Sequence, residues 1–178
     1  LDTRGDTLVT KIPVGIISQP IMTPSVAVAP DGRHAYLVYA TAQDDHLLIV
    51  DPSTNQIVKD QFLSIHPAGV AVSPDGSKVY VAGCKPVCIN GNLLTLDATS
   101  ASTITSLDLS AAPTGMALSP DGRRAYIANG RDASVAIVDL VELVEVSRIG
   151  VGRWPRYLTL SPDDSRLAVC NNGDLNVS

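Results

Sequence analysis

Gly115-Met116-Ala117-Leu118-Ser119-Pro120-Asp121-Gly122 decides the reading of this chain, because the same pattern occurs three more times. Ser25-Val26-Ala27-Val28-Ala29-Pro30-Asp31-Gly32 and Gly69-Val70-Ala71-Val72-Ser73-Pro74-Asp75-Gly76 precede it. Tyr157-Leu158-Thr159-Leu160-Ser161-Pro162-Asp163-Asp164 follows it. The turn aspartates Asp31, Asp75, Asp121 and Asp163 stand 44, 46 and 42 residues apart. A second series agrees: Asp2, Asp51, Asp97 and Asp139 each follow an apolar residue, at spacings of 49, 46 and 42. Self-similarity at such a period marks a repeat architecture.

Each repeat parses into four short strands, a to d. Strand a is the alternating run before the turn, as in Val70-Ala71-Val72. Proline fixes φ and Asp-Gly favours a tight reversal, so the chain turns there. Strand b follows at once, as in Lys78-Val79-Tyr80-Val81-Ala82. A polar loop leads to strand c (Leu47–Val50, Leu93–Leu96, Ser134–Val138), and after the aspartate turn comes strand d (Gln56–Val58, Thr103–Thr105, Val144–Val146). These β-branched runs are too short and interrupted for helices. The expected fold is all-β: a β-propeller of four-stranded antiparallel blades.

Pro113-Thr114-Gly115-Met116-Ala117-Leu118-Ser119-Pro120-Asp121-Gly122, continued by Tyr126-Ile127-Ala128-Asn129, resembles the YVTN-type β-propeller repeat almost throughout. Pro67 to Ala82 fits nearly as well, and Ile12-Pro13-Val14-Gly15 and Ile149-Gly150-Val151-Gly152 look like that family's strand d ending. Departures are local: Asp164 replaces the turn glycine, Ala168 the tyrosine, and Thr23 the proline of the first repeat. The resemblance covers essentially the whole chain. It implies a surface-layer-like or other exported prokaryotic protein, periplasmic, extracellular or on the cell surface, sometimes beside a cytochrome domain.

Residues 1–178 form one propeller domain or part of one, with blade repeats near 23–62, 66–108, 112–149 and 154–178, the last completed by or equivalent to 1–14. Two arrangements fit: the N-terminal strand closes a four-bladed ring, or the chain is an arc of a larger one. The YVTN resemblance implies about seven blades and favours the arc. The chain opens on Leu1 with neither a basic start nor an apolar stretch behind it, and therefore reads as a mature product or a piece of a longer protein.

Composition narrows the function classes. Hydrophobic residues make up 45% against 17% charged, a globular balance. A net charge of −5 argues against a nucleic-acid footprint, which needs a basic stripe. No apolar run approaches the roughly 20 residues of a membrane span. Cys84 and Cys88 flank a short loop and, in an exported protein, would close a disulfide, leaving Cys170 as a buried free thiol. No second Cys or His pair completes a zinc set. The turn aspartates, one per blade, stand too far apart to share a calcium ion. No metal or cofactor is expected. There is no Gly-x-Ser-x-Gly elbow and no haem-attachment Cys-x-x-Cys-His. Arg4-Gly5-Asp6 reads as a c–d turn rather than an adhesion motif.

The b–c and d–a loops share one face of a propeller, and on this scaffold the b–c loops vary most, which makes that face the place for binding. His66, Arg153, Trp154 and Arg156 lie within two residues of a repeat proline, at the expected channel mouth. A ligand reading has His66 and the arginines hold an anionic group while Trp154 stacks. The alternative has Trp154 packing between blades and the arginines solvated. His34 and His46 read as surface residues. The favoured function is a non-catalytic interaction module binding a protein partner, or remaining propeller blades, through this face. The alternative is the propeller part of a lactonase-like or quinone- or haem-linked dehydrogenase, with its site in the central channel.

Overall fold

A computed structural model describes residues 24–41, 43–85 and 88–178. Among them there is no helix, and so none long and apolar enough to cross a membrane. The first blade contains β1 (Ser25–Val28), β2 (Ala35–Ala40), β3 (Asp45–Asp51) and β4 (Gln56–Phe62); the second contains β5 (His66–Val72), β6 (Lys78–Cys84), β7 (Gly91–Asp97) and β8 (Thr103–Leu109). The third contains β9 (Pro113–Leu118), β10 (Arg124–Asn129), β11 (Ser134–Asp139) and β12 (Val144–Gly150). The fourth contains β13 (Pro155–Leu160), β14 (Leu167–Asn171) and the two-residue β15 (Asn176–Val177). Each sheet is an antiparallel meander of sequential strands, and successive inner strands β1, β5, β9 and β13 pack side by side. This is a β-propeller arrangement of four blades. The segment 1–14, and with it the choice between ring and arc, lies outside the described residues.

Local chemistry builds each hairpin. Gly32, Gly76 and Gly122 close the a–b turns at φ of +71°, +72° and +70°, a conformation that costs glycine nothing. Asp164 adopts φ +57° in the fourth turn, as short polar residues tolerate. In blades two to four a serine completes the turn. Ser73 Oγ donates to Asp75 Oδ1 (2.5 Å) and accepts from the Lys78 amide (2.9 Å); Ser119 and Ser161 do the same for Asp121 and Asp163. Ala29 stands at that place in blade one, so among the described residues Asp31 accepts only from the Arg33 amide, at 2.9 Å. Across the c–d turns Asp51, Asp97 and Asp139 accept amide hydrogens two and three residues on. A register shift recurs just before that turn in the first three blades, at Ile49/Val50, Thr95/Leu96 and Ile137/Val138, which is a repeated β-bulge.

These hydrogen bonds leave a titration signature. The Ser73 hydroxyl and the Ser77 amide and hydroxyl hold the Asp75 carboxyl down to about 2, and the Ser161 and Ser165 hydroxyls do the same for Asp163. Hydrogen bonds also lower Asp51, Asp97, Asp121 and Asp139. A depressed folded-state value means stability that is present above the unfolded carboxylate range near 3.8 and lost as pH falls toward 2. Thermal melts between pH 5 and 2 are therefore expected to show the melting temperature falling with pH. Asp75→Asn and Asp163→Asn should each make that decline shallower; an unchanged slope would exclude these turns as its source.

The core is made between blades. Tyr36, Val38, Leu47 and Ile49 of the first blade pack on Val70, Val79, Val81, Leu94 and Leu96 of the second. The next seam joins Tyr80, Ala82 and Leu93 to Ala125, Ile127, Ala136 and Val138, and the third joins Tyr126 and Val135 to Leu158, Leu160 and Val169. Each strand thus buries alternate residues against opposite neighbours, which explains near-continuous burial in β6 and β10. The Tyr36 hydroxyl crosses the first seam to donate to the Ala98 carbonyl at 2.9 Å.

Burial also corrects two expectations. His46 is buried rather than on the surface: its ring stacks on Tyr39 at 4.9 Å between centroids, and its Nδ1 lies 2.8 Å from Asp60 Oδ1. Cys170 is exposed rather than buried, because it points from β14 to the side of blade four away from blade three.

Candidate functional site

On the upper face, where b–c and d–a loops meet, a cavity of about 100 Å³ is lined by the first residues of all four inner strands. Pro24 and Ser25 come from blade one, Ala68 from blade two, Thr114 and Met116 from blade three, and Arg156 and Tyr157 from blade four. Pro24, Ala68, Thr114 and Arg156 occupy one position of the repeat, the residue after the proline (or after Thr23), so the propeller turns a sequence period into a ring of side chains. Only Arg156 is charged there. Thr114 Oγ1 donates to the Pro155 carbonyl at 2.6 Å, tying blades three and four. Ser25 Oγ accepts from the Val70 amide at 3.4 Å, leaving its proton without a protein acceptor among the described residues.

The four channel-mouth candidates do not form one cluster. Arg156 lines the cavity and has no ion pair among the described residues. Arg153 is held elsewhere: its Nε donates to Asp174 Oδ1 and its backbone N–H to Asp174 Oδ2, both at 2.6 Å. His66 Nδ1 lies 2.7 Å from Asp45 Oδ2 across the first seam, near enough to pair. Its angle is poor, however, so neither His66 Nδ1 nor Asp45 Oδ1 completes a hydrogen bond. Trp154 remains 59% exposed at φ +54°, a strained conformation for a bulky residue. Its ring lies along the b–c turns: a Cβ on Gly173 would meet it at 2.7 Å and one on Gly130 at 3.6 Å. Trp154 therefore spans the upper rims of blades three and four while presenting much of its surface to solvent.

Ser25 and Thr114 were not distinguished by sequence inspection, because hydroxyls are common in loops. The signal that finds them is positional: both stand within two residues of the repeat position that carries Arg156. Larger clefts lie on the opposite face, about 530 Å³ between blades one and two and about 390 Å³ between two and three. They are lined by the a–b turns, whose carboxylates are already engaged by their own turns. We read them as grooves between regular turns rather than as sites. Among the described residues no group of three or more His, Cys, Asp or Glu side chains is arranged to hold a metal ion.

A disulfide joins Cys84 to Cys88 in the b–c loop of blade two, beside the Lys85–Asp108 ion pair of 2.7 Å. Closing so short a loop stabilises by about 2 kcal/mol in the chain-entropy account. The Cys84→Ser/Cys88→Ser double variant is expected to lose about that much in a denaturant titration; a loss near zero would mean that Cys84, fully buried, is held by packing alone.

No family model matches the sequence, and no curated protein matches it. Among solved structures the chain is similar to a chain of the Kuenenia stuttgartiensis hydrazine synthase, at 21% identity and a TM-score of 0.74. The match covers 97% of this chain and 48% of that one, so this chain spans about half the length of its neighbour. At that identity the likeness concerns the fold, and it supports the β-propeller.

Proposed function

We propose that this chain is a non-catalytic interaction module, a YVTN-type propeller of an exported or cell-surface prokaryotic protein, that binds a partner through its upper face. The observation that carries the reading is Arg156, a guanidinium without an ion pair among the described residues, at the channel mouth beside the hydroxyls of Ser25 and Thr114. A planar fork of donors next to hydroxyls suits a carboxylate or phosphate group presented by the partner. Trp154 on the same rim offers an exposed aromatic surface for the rest of such a partner. The Cys84–Cys88 disulfide is in keeping with an oxidising compartment. Further propeller blades or a cytochrome domain fit the same reading as partners.

The test is an NMR titration with inorganic phosphate and, separately, with a hexaglutamate peptide. Shifts centred on Ser25, Thr114 and Arg156 are expected, lost in Arg156→Gln and kept in the lower-face variant Arg123→Gln. A response to peptide alone assigns a carboxylate, and a response to phosphate alone a phosphate. No response, or shifts confined to the lower face, overturns the reading.

A second reading has one observation in its favour, the neighbour's identity as a hydrazine synthase, an enzyme. On that reading the channel serves a lactonase-like or quinone- or haem-linked reaction. Turnover of a lactone, or electron transfer to a quinone, that disappears in Arg156→Gln would replace the first reading with this one.

A further inference from the structure

Three of the four ring residues at the channel mouth are passed over by the strand ladder. Pro67 and Gly69 pair with Gly83 and Ala82, which skips Ala68; Pro113 and Gly115 pair with Asn129 and Ala128, which skips Thr114. Pro155 and Tyr157 pair with Asn171 and Cys170, which skips Arg156. Such a bulge re-aims the extra residue, and here it does so at one repeat position in successive blades, toward one cavity.

The hydroxyls at this cavity differ in what they can still do. Thr114 Oγ1 lies 2.6 Å from the Pro155 carbonyl oxygen and 3.2 Å from that of Ala128. A hydroxyl has one proton and both neighbours are acceptors, so the proton is spent and Oγ1 retains only lone pairs. The Thr114 methyl is turned to the b–c turn of its own blade, where a Cβ on Gly130 would meet it at 2.8 Å. Oγ1 is thus the polar side-chain atom that Thr114 offers, and it offers an acceptor. Ser25 is the reverse: its Oγ accepts from the Val70 amide and keeps its proton to donate. Arg156 adds donors only.

The fitting ligand therefore has acceptors for Arg156 and Ser25 and, beside them, one donor for Thr114. Fully ionised phosphate carries acceptors alone and would set an oxygen against Thr114 Oγ1. A carboxylate on a plain methylene stem lacks the donor too. A carboxylate whose α-carbon bears an N–H or O–H supplies both. The space agrees, since about 100 Å³ is some three times the roughly 30 Å³ share of one water. Met116 and Leu158 give that space an apolar wall.

We propose that the group bound at the channel mouth is the free C-terminus of a partner chain, its carboxylate on Arg156 and Ser25 and the N–H of its last residue on Thr114. The assignment rests on the channel-mouth reading above and narrows it. A chain end enters a small cavity that a folded surface cannot, and its preceding residues then meet the exposed Trp154, two residues from Arg156.

An NMR titration with N-acetylalanine, the smallest chain end, tests this. N-acetyl-N-methylalanine, which lacks only the N–H, is expected to bind about tenfold more weakly, the effect of one hydrogen bond left unmade at a partly buried site. In Thr114→Val the two ligands should bind alike, and Thr114→Ser should restore the preference. Valine also removes the tie to Pro155, so if that variant fails to fold, the comparison on the parent protein decides. N-acetylated pentaalanine should bind more tightly than N-acetylalanine, and its C-terminal amide should not bind. Equal binding of N-acetylalanine and its N-methyl form overturns the proposal and leaves the anion site standing. Lactate or N-acetylalanine binding as tightly as the pentapeptide assigns a small acid instead of a chain end and overturns it as well. If neither phosphate nor any carboxylate shifts Ser25, Thr114 and Arg156, the anion site itself is lost and the proposal with it.

Discussion

Gly115→Val is expected to detach blade four. Gly115 does not serve a turn; its φ is not in the left-handed region. Its role is space, because any Cβ would stand 2.0 Å from the Arg156 carbonyl oxygen and 3.2 Å from its carbon. Those are backbone atoms of β13, so no side chain can swing aside, and β9 and β13 must separate. Thr114 loses its bond to the Pro155 carbonyl in the process, and Leu158, Leu160 and Val169 lose part of their cover. Overpacking alone costs about 1–3 kcal/mol, and backbone against backbone belongs at or above the upper end. Because each repeat touches only its neighbours, the damage should be local. Hydrogen exchange should rise first across 155–177, with the amides of β6 and β7 still protected. Gly150→Ala is the control, since a Cβ there meets nothing within 4 Å, and it should change stability by less than about 0.5 kcal/mol. Equal protection of blade four in the Gly115→Val protein would refute the close-approach argument.

Ile127→Ala is expected to be the most damaging core truncation of the middle seam. Ile127 is fully buried among Tyr80, Leu93 and Val138, with blade two on one side and its own sheet on the other. Removing its outer carbons leaves a cavity between two sheets whose backbones are fixed by their own ladders, so collapse is limited. The cost is about 2–5 kcal/mol, which for a chain of this size lowers the melting temperature by roughly 5–15 °C. Ile127→Val should cost only about 0.5–1.5 kcal/mol. A thermal melt of the two variants checks the ratio. If alanine and valine cost the same, the side chain is not filling the seam in the way its burial implies.

Much of the blade architecture was legible because turn chemistry is local. Ser73-Pro74-Asp75-Gly76 carries within itself the fixed φ, the left-handed glycine and the side chain that caps the turn, so the reversal between β5 and β6 needs no distant partner. The far ends of the outer strands were less legible. Strand d is marked in the sequence by the runs Gln56–Val58, Thr103–Thr105 and Val144–Val146, with an ending legible at Ile149–Gly152 in blade three alone, and the strands run on to Phe62, Leu109 and Gly150. These residues alternate polar and apolar weakly, and what keeps them extended is the ladder to β3, β7 and β11. The channel-mouth candidates illustrate the same limit. Proximity to a repeat proline singled out His66, Arg153, Trp154 and Arg156 together, yet Asp45 and Asp174, remote in sequence, claim two of them.

The amino-acid sequence by itself determined the hairpins, the strand order within each blade and the number of blade repeats, since each rests on contacts within some forty residues. Only the tertiary structure decided which residues are buried. Val38, Ala82, Ala128 and Cys170 occupy one position of the repeat, and the first three are fully buried while Cys170 is exposed. The chemistry of the position does not separate them. A blade hides its face only against the next blade, and that neighbour is a property of the assembly, not of the segment.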